Sequence, residues 1–131
     1  MPYLSIREAA EELRSGIITP TELLAETLER IDAVEHEVRA FVTVTREQAL
    51  KDAEQAEREM RVGLYRSPLH GIPIAVKDLI AVKGVALTAS SRVLAEHVAP
   101  EDAAVIELLR KAGAVLIGKT NTYEFAYGPF S

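Results

Sequence analysis

Lys77 is the residue of this sequence whose position most suggests chemistry. It follows the apolar run 72–76 directly and precedes Asp78. A lysine at the end of a buried strand can lose part of its hydration, which favours the neutral amine and lets it act as a base. Spacing alone favours a simpler interpretation, an ion pair with Asp78 or another carboxylate, because structural ion pairs also perturb lysines.

A second lysine lies in a segment that imitates a nucleotide-binding loop. Residues 113–120, GAVLIGKT, match the pattern G-x-x-x-x-G-K-[ST] letter for letter. That loop requires a strand before its first glycine and a helix that begins at its lysine. Here a helical pattern precedes Gly113, and the four central residues are typical of a strand. We therefore predict that this segment does not bind nucleotides.

Ser90 and Ser91 offer hydroxyl groups that could form a serine–lysine dyad with Lys77. Small hydroxyl residues in a segment that follows a glycine are more simply explained as turn formers, and we favour that interpretation.

The histidines do not indicate a metal site, because they lie in separate segments without ligand spacing. We predict that His36 and His97 lie at the surface and that His70 supports the loop before the apolar run. The sequence contains no cysteine, which excludes disulfides and thiolate ligands. We expect neither a metal nor a cofactor.

The composition is that of an ordinary globular domain of 131 residues. Aromatic residues make up only 5%, so the core must be built from aliphatic side chains, which favours helices packed on a sheet. The net charge of −5 and the lack of a basic cluster argue against direct nucleic-acid binding. No apolar run approaches the roughly 20 residues of a membrane span, and no signal peptide is evident, so we expect a cytoplasmic protein.

Three capping boxes predict where the helices that position these residues begin. Each places an acidic or amide side chain three residues after a hydroxyl: Ser5 with Glu8, Thr19 with Glu22, and Thr45 with Gln48. The first predicted helix ends near Gly16, the second begins with Pro20 at its first helical position, and the third covers about 46–60. A strand over about 39–44 separates the second helix from the third.

The second half of the chain predicts a strand, a helix and a strand. The run 72–76 lacks polar alternation, as in a strand covered on both faces, and Pro73 must lie at its start or at a sheet edge. Helical spacing over about 102–112 ends at Gly113, and 114–117 is a second apolar strand. This order is typical of a βαβ-like unit with a parallel pair.

Two segments strongly resemble the amidase-signature family. They are LHGIPIAVKDLIAVKGVALTASSRVL at 69–94 and DAAVIELLRKAGAVLIGKTNTYEFAYG at 102–128. The element G-[IV]-P-[IV]-x-[VI]-K-D together with A-G-A-[VI]-[IL]-x-G-K-T-N is specific to that family. The resemblance covers about residues 5–131 and is dense from Leu69 onward.

The resemblance implies an α/β fold with a mixed sheet flanked by helices. Residues 1–131 would be the N-terminal portion of one larger domain, with helices over about 5–60 and a strand–helix–strand core over about 71–120. Lys77 matches the lysine of the family's Ser–cis-Ser–Lys triad, which acts on small amide substrates. If the protein resembled the A subunit of the tRNA-dependent amidotransferase, it would need partner subunits.

The sequence departs from the family pattern in two places. The Gly/Ser-rich segment that supplies both serines lies downstream of the E-F-A-x-G element, and this chain ends at Ser131 before it. We therefore expect a truncated chain that carries the base alone and is inactive by itself. Ser90 also stands where the family usually has Gly. The alternative is a naturally short, non-catalytic amidase-like domain with a structural or partner-binding role.

Overall fold

The first half of the chain forms three helices and a short strand in the computed structural model, which describes residues 4–128. The truncation expected at Ser131 lies outside this range. The elements are helix α1 (Ile6–Ser15), helix α2 (Pro20–Val38), strand β1 (Phe41–Val44) and helix α3 (Arg46–Arg61). Capping boxes at Ser5 and Thr19 begin the first two helices, as predicted. Helix α1 ends where predicted, at Gly16, whose φ of 72° is in the left-handed region that glycine adopts readily.

The predicted capping box at Thr45 is wrong. The Thr45 hydroxyl donates a hydrogen bond to the Leu116 carbonyl at 3.0 Å, and its N–H donates to the Ile117 carbonyl at 2.9 Å. Gln48 donates to Asp52 instead of reaching back to the cap. Since both polar groups of Thr45 bind the neighbouring strand, this residue joins α3 to the sheet, and a tertiary contact prevails over the local capping signal.

The second half forms strand β2 (Pro73–Lys77), helix α4 (Ala104–Lys111) and strand β3 (Val115–Thr120). Pro73 is the first residue of β2, where its missing N–H costs no ladder bond. Several boundaries differ from the predictions by one to three residues. Strand β1 begins at Phe41 rather than at 39, and β3 continues beyond Ile117 to Thr120. The extension matters because it brings Lys119 into the sheet.

The three described strands form a mixed sheet in the order β1-β3-β2. Strand β2 runs parallel to β3, and β1 runs antiparallel to it, which confirms the predicted α/β class and its parallel pair. In the parallel register Val76 lies opposite Lys119, and Lys77 lies opposite Thr120. The carboxyl ends of β2 and β3 therefore meet at one edge of the sheet.

Helices cover the sheet on both faces. One apolar cluster lies between the sheet and helices α2 and α3, and a second lies between the sheet, α4 and the loop that follows β2. The first contains Leu24, Ile31, Ala49, Ala53, Val115 and Ile117, and the second contains Val76, Val82, Ile106 and Leu116. Strand β3 is consequently buried along nearly all its length, whereas 73–75 of β2 are only half-buried. No helix within residues 4–128 is long and apolar enough to cross a membrane.

Candidate active site at the carboxyl ends of two strands

Lys77 is the last residue of β2, at the edge where the carboxyl ends of the parallel strands meet. Successive side chains of a strand point to opposite faces, and the burial follows this rule, since Val76 and Asp78 are buried while Lys77 is exposed. The amine is therefore not desolvated by this chain. It makes no hydrogen bond or ion pair with any other residue from 4 to 128.

Asp78 is paired with Lys119 and not with Lys77. The Nζ atom of Lys119 lies 2.8 Å from Asp78 Oδ1, and the two side chains are 1% and 0% exposed. Lys119 also donates to the Ala86 carbonyl at 3.1 Å, while the Thr88 N–H, at 3.2 Å, and the Thr88 hydroxyl donate to Asp78 Oδ2. The buried pair is thus surrounded by hydrogen bonds that satisfy both charges, as a buried ion pair requires.

The segment that imitates a nucleotide-binding loop supplies this pair. Residues 115–120 are strand β3, and Lys119 within it is buried against Asp78 rather than held in an open phosphate-binding loop. The four apolar residues at its centre lie in or next to this strand, as their type predicted. The Asp78–Lys119 pair was not among the contacts predicted from the sequence. Its signal was a charged residue inside an apolar strand, which needs a buried counter-charge.

The loop after β2 turns back toward the segment that follows β3. Ala89 and Ser90 both adopt left-handed backbone conformations, with φ of 50° and 53°. The Ser90 hydroxyl donates to Asn121 at 2.9 Å, and the Ser91 hydroxyl donates to Glu124 at 2.7 Å. Both hydroxyls therefore hold this loop in place, in keeping with their interpretation as turn formers. The left-handed φ at Ser90 also gives a physical reason why glycine suits that position.

A second polar cluster lies at the opposite edge, before β2. His70 is buried, its Nε2 atom lies 3.1 Å from Glu59, and its Nδ1 atom accepts a hydrogen bond from the Arg66 N–H at 3.2 Å. Burial lowers the pKa of His70, so the neutral ring with its proton on Nε2 fits these contacts. The hydrogen bonds from the Arg66 guanidinium are the main cause that lowers the pKa of Glu59 to about 2. His70 thus supports the loop before β2, as predicted.

The other histidines confirm the remaining predictions, since His36 and His97 are both exposed. Across the described range 4–128, no cluster of three or more His, Cys, Asp or Glu side chains could hold a metal ion.

The sequence profile of the Amidase family matches residues 22–131, and the chain belongs to the amidase family. This confirms the family resemblance seen in the two motif segments.

Several relatives are similar to this chain over nearly its whole length. The A subunit of glutamyl-tRNA(Gln) amidotransferase from Carboxydothermus hydrogenoformans is 43% identical over 126 residues, and its counterpart from Chloroflexus aggregans is 48% identical over 126 residues. Each match covers 96% of this chain and 26% of the relative. The native peptide amidase of Stenotrophomonas maltophilia has a similar structure, with a TM-score of 0.90 and 36% identity over 96% of this chain and 26% of that one. The chain therefore spans about a quarter of the length of these relatives.

Proposed function

We propose that the full-length protein cleaves an amide bond, by hydrolysis or by transfer of the acyl group to an amine, with Lys77 as the general base. The observation that carries this proposal is the contrast between two lysines at one edge of the sheet. Lys119 is buried and paired, whereas the Lys77 amine is exposed and is bonded to no other residue from 4 to 128. An accessible amine at the carboxyl end of a parallel strand is well placed for substrate chemistry.

In the proposed mechanism Lys77 serves a Ser–cis-Ser–Lys triad. The neutral amine accepts a proton from a bridging serine, which in turn accepts the proton of a nucleophilic serine as that serine attacks the amide carbonyl carbon. The leaving amine takes up a proton as the carbon–nitrogen bond breaks, and water or another amine then releases the acyl group from the serine. Both serines would come from a Gly/Ser-rich segment outside residues 1–131.

We further propose that residues 1–131 are the N-terminal portion of one larger domain, and that the remainder of that domain covers the site. The lengths of the relatives support this, because the chain covers only 26% of each. Exposed apolar side chains on α4 also support it, since Val105 is 45% and Leu108 is 64% exposed. Coverage of Lys77 would exclude water and favour its neutral amine.

The substrate class follows from the same proposal. A stand-alone amidase would act on a small-molecule amide, whereas a component of an amidotransferase would use glutamine and assemble with partner subunits. The two curated relatives are amidotransferase subunits, and the similar solved structure is a peptide amidase. Hydrolysis assays of the full-length protein on glutamine and on simple aliphatic and aromatic amides would separate these two activities.

The Lys77→Ala variant of the full-length protein tests the base. We expect kcat/KM for amide hydrolysis to fall by about 10³-fold or more, with little change in Tm, because the lost amine pairs with no other residue from 4 to 128 and contributes to proton transfer rather than packing. The matched control is Lys111→Ala, which removes an exposed lysine at the end of α4 and should leave turnover unchanged.

Near-normal turnover by the Lys77→Ala variant would remove this lysine from the mechanism. The intact mass of the native protein addresses the alternative of a short, non-catalytic domain. A native product of only 131 residues would exclude catalysis by a triad whose serines lie further along the chain.

A further inference from the structure

We infer that Lys119 is a positioning residue that keeps Lys77 available by pairing with Asp78, the carboxylate on the adjacent residue. This role presupposes the proposed base function of Lys77. It explains why β3 contains a charged residue, the buried Lys119, which the proposed triad does not use.

The sheet register places Lys119 and Asp78 on one face and Lys77 on the other. Lys119 lies opposite Val76, so its side chain shares a face with Val76 and with Asp78, two residues further along. Lys77 lies opposite Thr120 and points to the other face. The Asp78 N–H donates to the Thr120 carbonyl at 3.0 Å, which extends the ladder one residue past Lys77 and fixes this alternation.

Without Lys119 the Asp78 carboxylate would lack its counter-charge. Thr88 would remain as a donor through its N–H and its hydroxyl, but a fully buried carboxylate with neutral donors alone is strongly disfavoured. The amine of Lys77, on the adjacent residue, is the nearest cation along the chain. A carboxylate that interacts with this amine stabilises its protonated form, and a protonated lysine cannot accept a proton from serine.

Stability alone does not account for such a pair, because replacing a buried ion pair by neutral groups of similar volume is often neutral or stabilising. The other charged groups that adjoining segments bring toward this edge are already engaged or lie in solvent. Glu124 accepts a hydrogen bond from the loop after β2, Glu35 accepts one from the first residue of β1, and Arg39 is exposed. Asp78 is therefore the carboxylate whose position matters most for Lys77.

The test is a double-variant cycle in the full-length protein, made of Lys119→Met, Asp78→Asn and the two together. Two readouts are followed against pH. One is the acid limb of kcat/KM for amide hydrolysis. The other is acetylation of the Lys77 amine by trace acetic anhydride, quantified by peptide mass spectrometry, which does not depend on turnover.

We expect Lys119→Met to move the midpoints of both pH profiles, for kcat/KM and for acetylation, to higher pH by about one unit. The reason is that it leaves an uncompensated carboxylate beside Lys77. Asp78→Asn should move them in the opposite direction, since it leaves an uncompensated ammonium. The double variant should return both midpoints to within about 0.3 unit of the wild type, because the net charge of the pair is restored. Lys111→Met, which removes a charge at the far edge of the sheet, should move neither.

A role confined to folding would lower the active fraction without moving the midpoints in opposite directions. If the single variants do not fold, Thr88→Val serves in their place, because it removes one hydrogen bond to Asp78 and keeps the side-chain volume. We expect it to move the midpoints the same way as Lys119→Met, by a smaller amount. Unmoved midpoints in every folded variant would overturn the positioning role. Shifted acetylation midpoints together with an active Lys77→Ala variant would instead reject the proposed base and retain the effect of Lys119 on this amine.

Discussion

Charged side chains cluster at both ends of the β2–β3 pair, but the two clusters are arranged differently. At the amino edge, where β2 and β3 begin, Glu59 is paired with both Arg66 and His70. At the carboxyl edge, where β2 and β3 end, Asp78 is paired with Lys119, and the neighbouring Lys77 takes no part in this pair. This contrast indicates that strong pairing marks the structural charges of this fold. The candidate for catalysis is Lys77, the charged residue that belongs to neither cluster.

Among the changes at the amino edge, the largest stability effect should come from Gly113→Ala. Gly113 has a φ of 84°, and a Cβ atom there would lie well inside van der Waals contact with the buried ring of His70. Left-handed strain and overpacking together should lower the free energy of unfolding by about 3 kcal/mol. Urea denaturation checks this, and the activity of the remaining folded protein should be unchanged.

Gly63→Ala is the matched control for this variant. Gly63 has a similar φ of 81°, but a Cβ atom there would meet nothing within 4 Å. It should therefore show only the left-handed strain, about 1 kcal/mol. An equal loss of unfolding free energy in the two variants would show that His70 does not restrict the space at Gly113. It would contradict close packing of the amino edge around the His70 ring.

A smaller effect at the amino edge should depend on pH. Arg66 is the main cause that lowers the pKa of Glu59 from 4.5 to about 2, so the stability contributed by this carboxylate is present above pH 4.5 and is lost as the pH falls toward 2. Glu59→Gln should cost about 2 kcal/mol at pH 7, less than the full shift implies, because the Arg66 side chain is 35% exposed and solvent screens the pair.

Urea denaturation at several pH values measures the difference in free energy of unfolding between the wild type and Glu59→Gln. This difference should shrink below pH 4.5 and vanish near pH 2. The lowered pKa of His70 acts in the same direction, because the unfolded chain takes up that proton first as the pH falls below 6.5. Glu11→Gln on the exposed side of α1 is the control and should leave the pH dependence as it is. A Glu59→Gln deficit that stays constant from pH 7 to pH 2 would contradict the closed charge cluster.

The smallest effect should come from Ser91→Ala at the carboxyl edge. Ser91 is 4% exposed and donates to Glu124, so its loss should cost about 1 kcal/mol of stability. Because its hydroxyl is bonded to Glu124 and not to Lys77, amide hydrolysis by the full-length protein should stay within about threefold of the wild type. Ser90→Ala is the matched comparison. A loss of activity as large as that of Lys77→Ala would instead indicate that Ser91 takes part in the chemistry.

Much of this architecture is readable from local signals. The capping boxes at Ser5 and Thr19, the glycine stop after α1 and the proline at the start of β2 depend on near neighbours, and the structure confirms them. Thr45 carries the same local signal as Ser5, but its partners lie 71 and 72 residues further along the chain, and a local pattern contains no information about them.

The same limit applies to the candidate site. The position of Lys77 at a strand end follows from the apolar run before it, and its proposed role as the base comes from the family resemblance. The sequence suggested Asp78 as a partner for that lysine, whereas the structure gives Asp78 to Lys119. The choice between two lysines depends on strand register and side-chain alternation, which exist only after β2 and β3 have paired.

The separation of Asp78 and Lys119 along the chain has a consequence for folding. These residues are 41 positions apart, and the whole connection through α4 lies between them. Contacts between such distant residues form late, because the entropy of closing the intervening chain opposes them. Until then both charges remain hydrated and Asp78 is free to interact with Lys77. During synthesis on the ribosome, the carboxyl edge should therefore acquire its final charge arrangement only after β3 has emerged and joined the sheet.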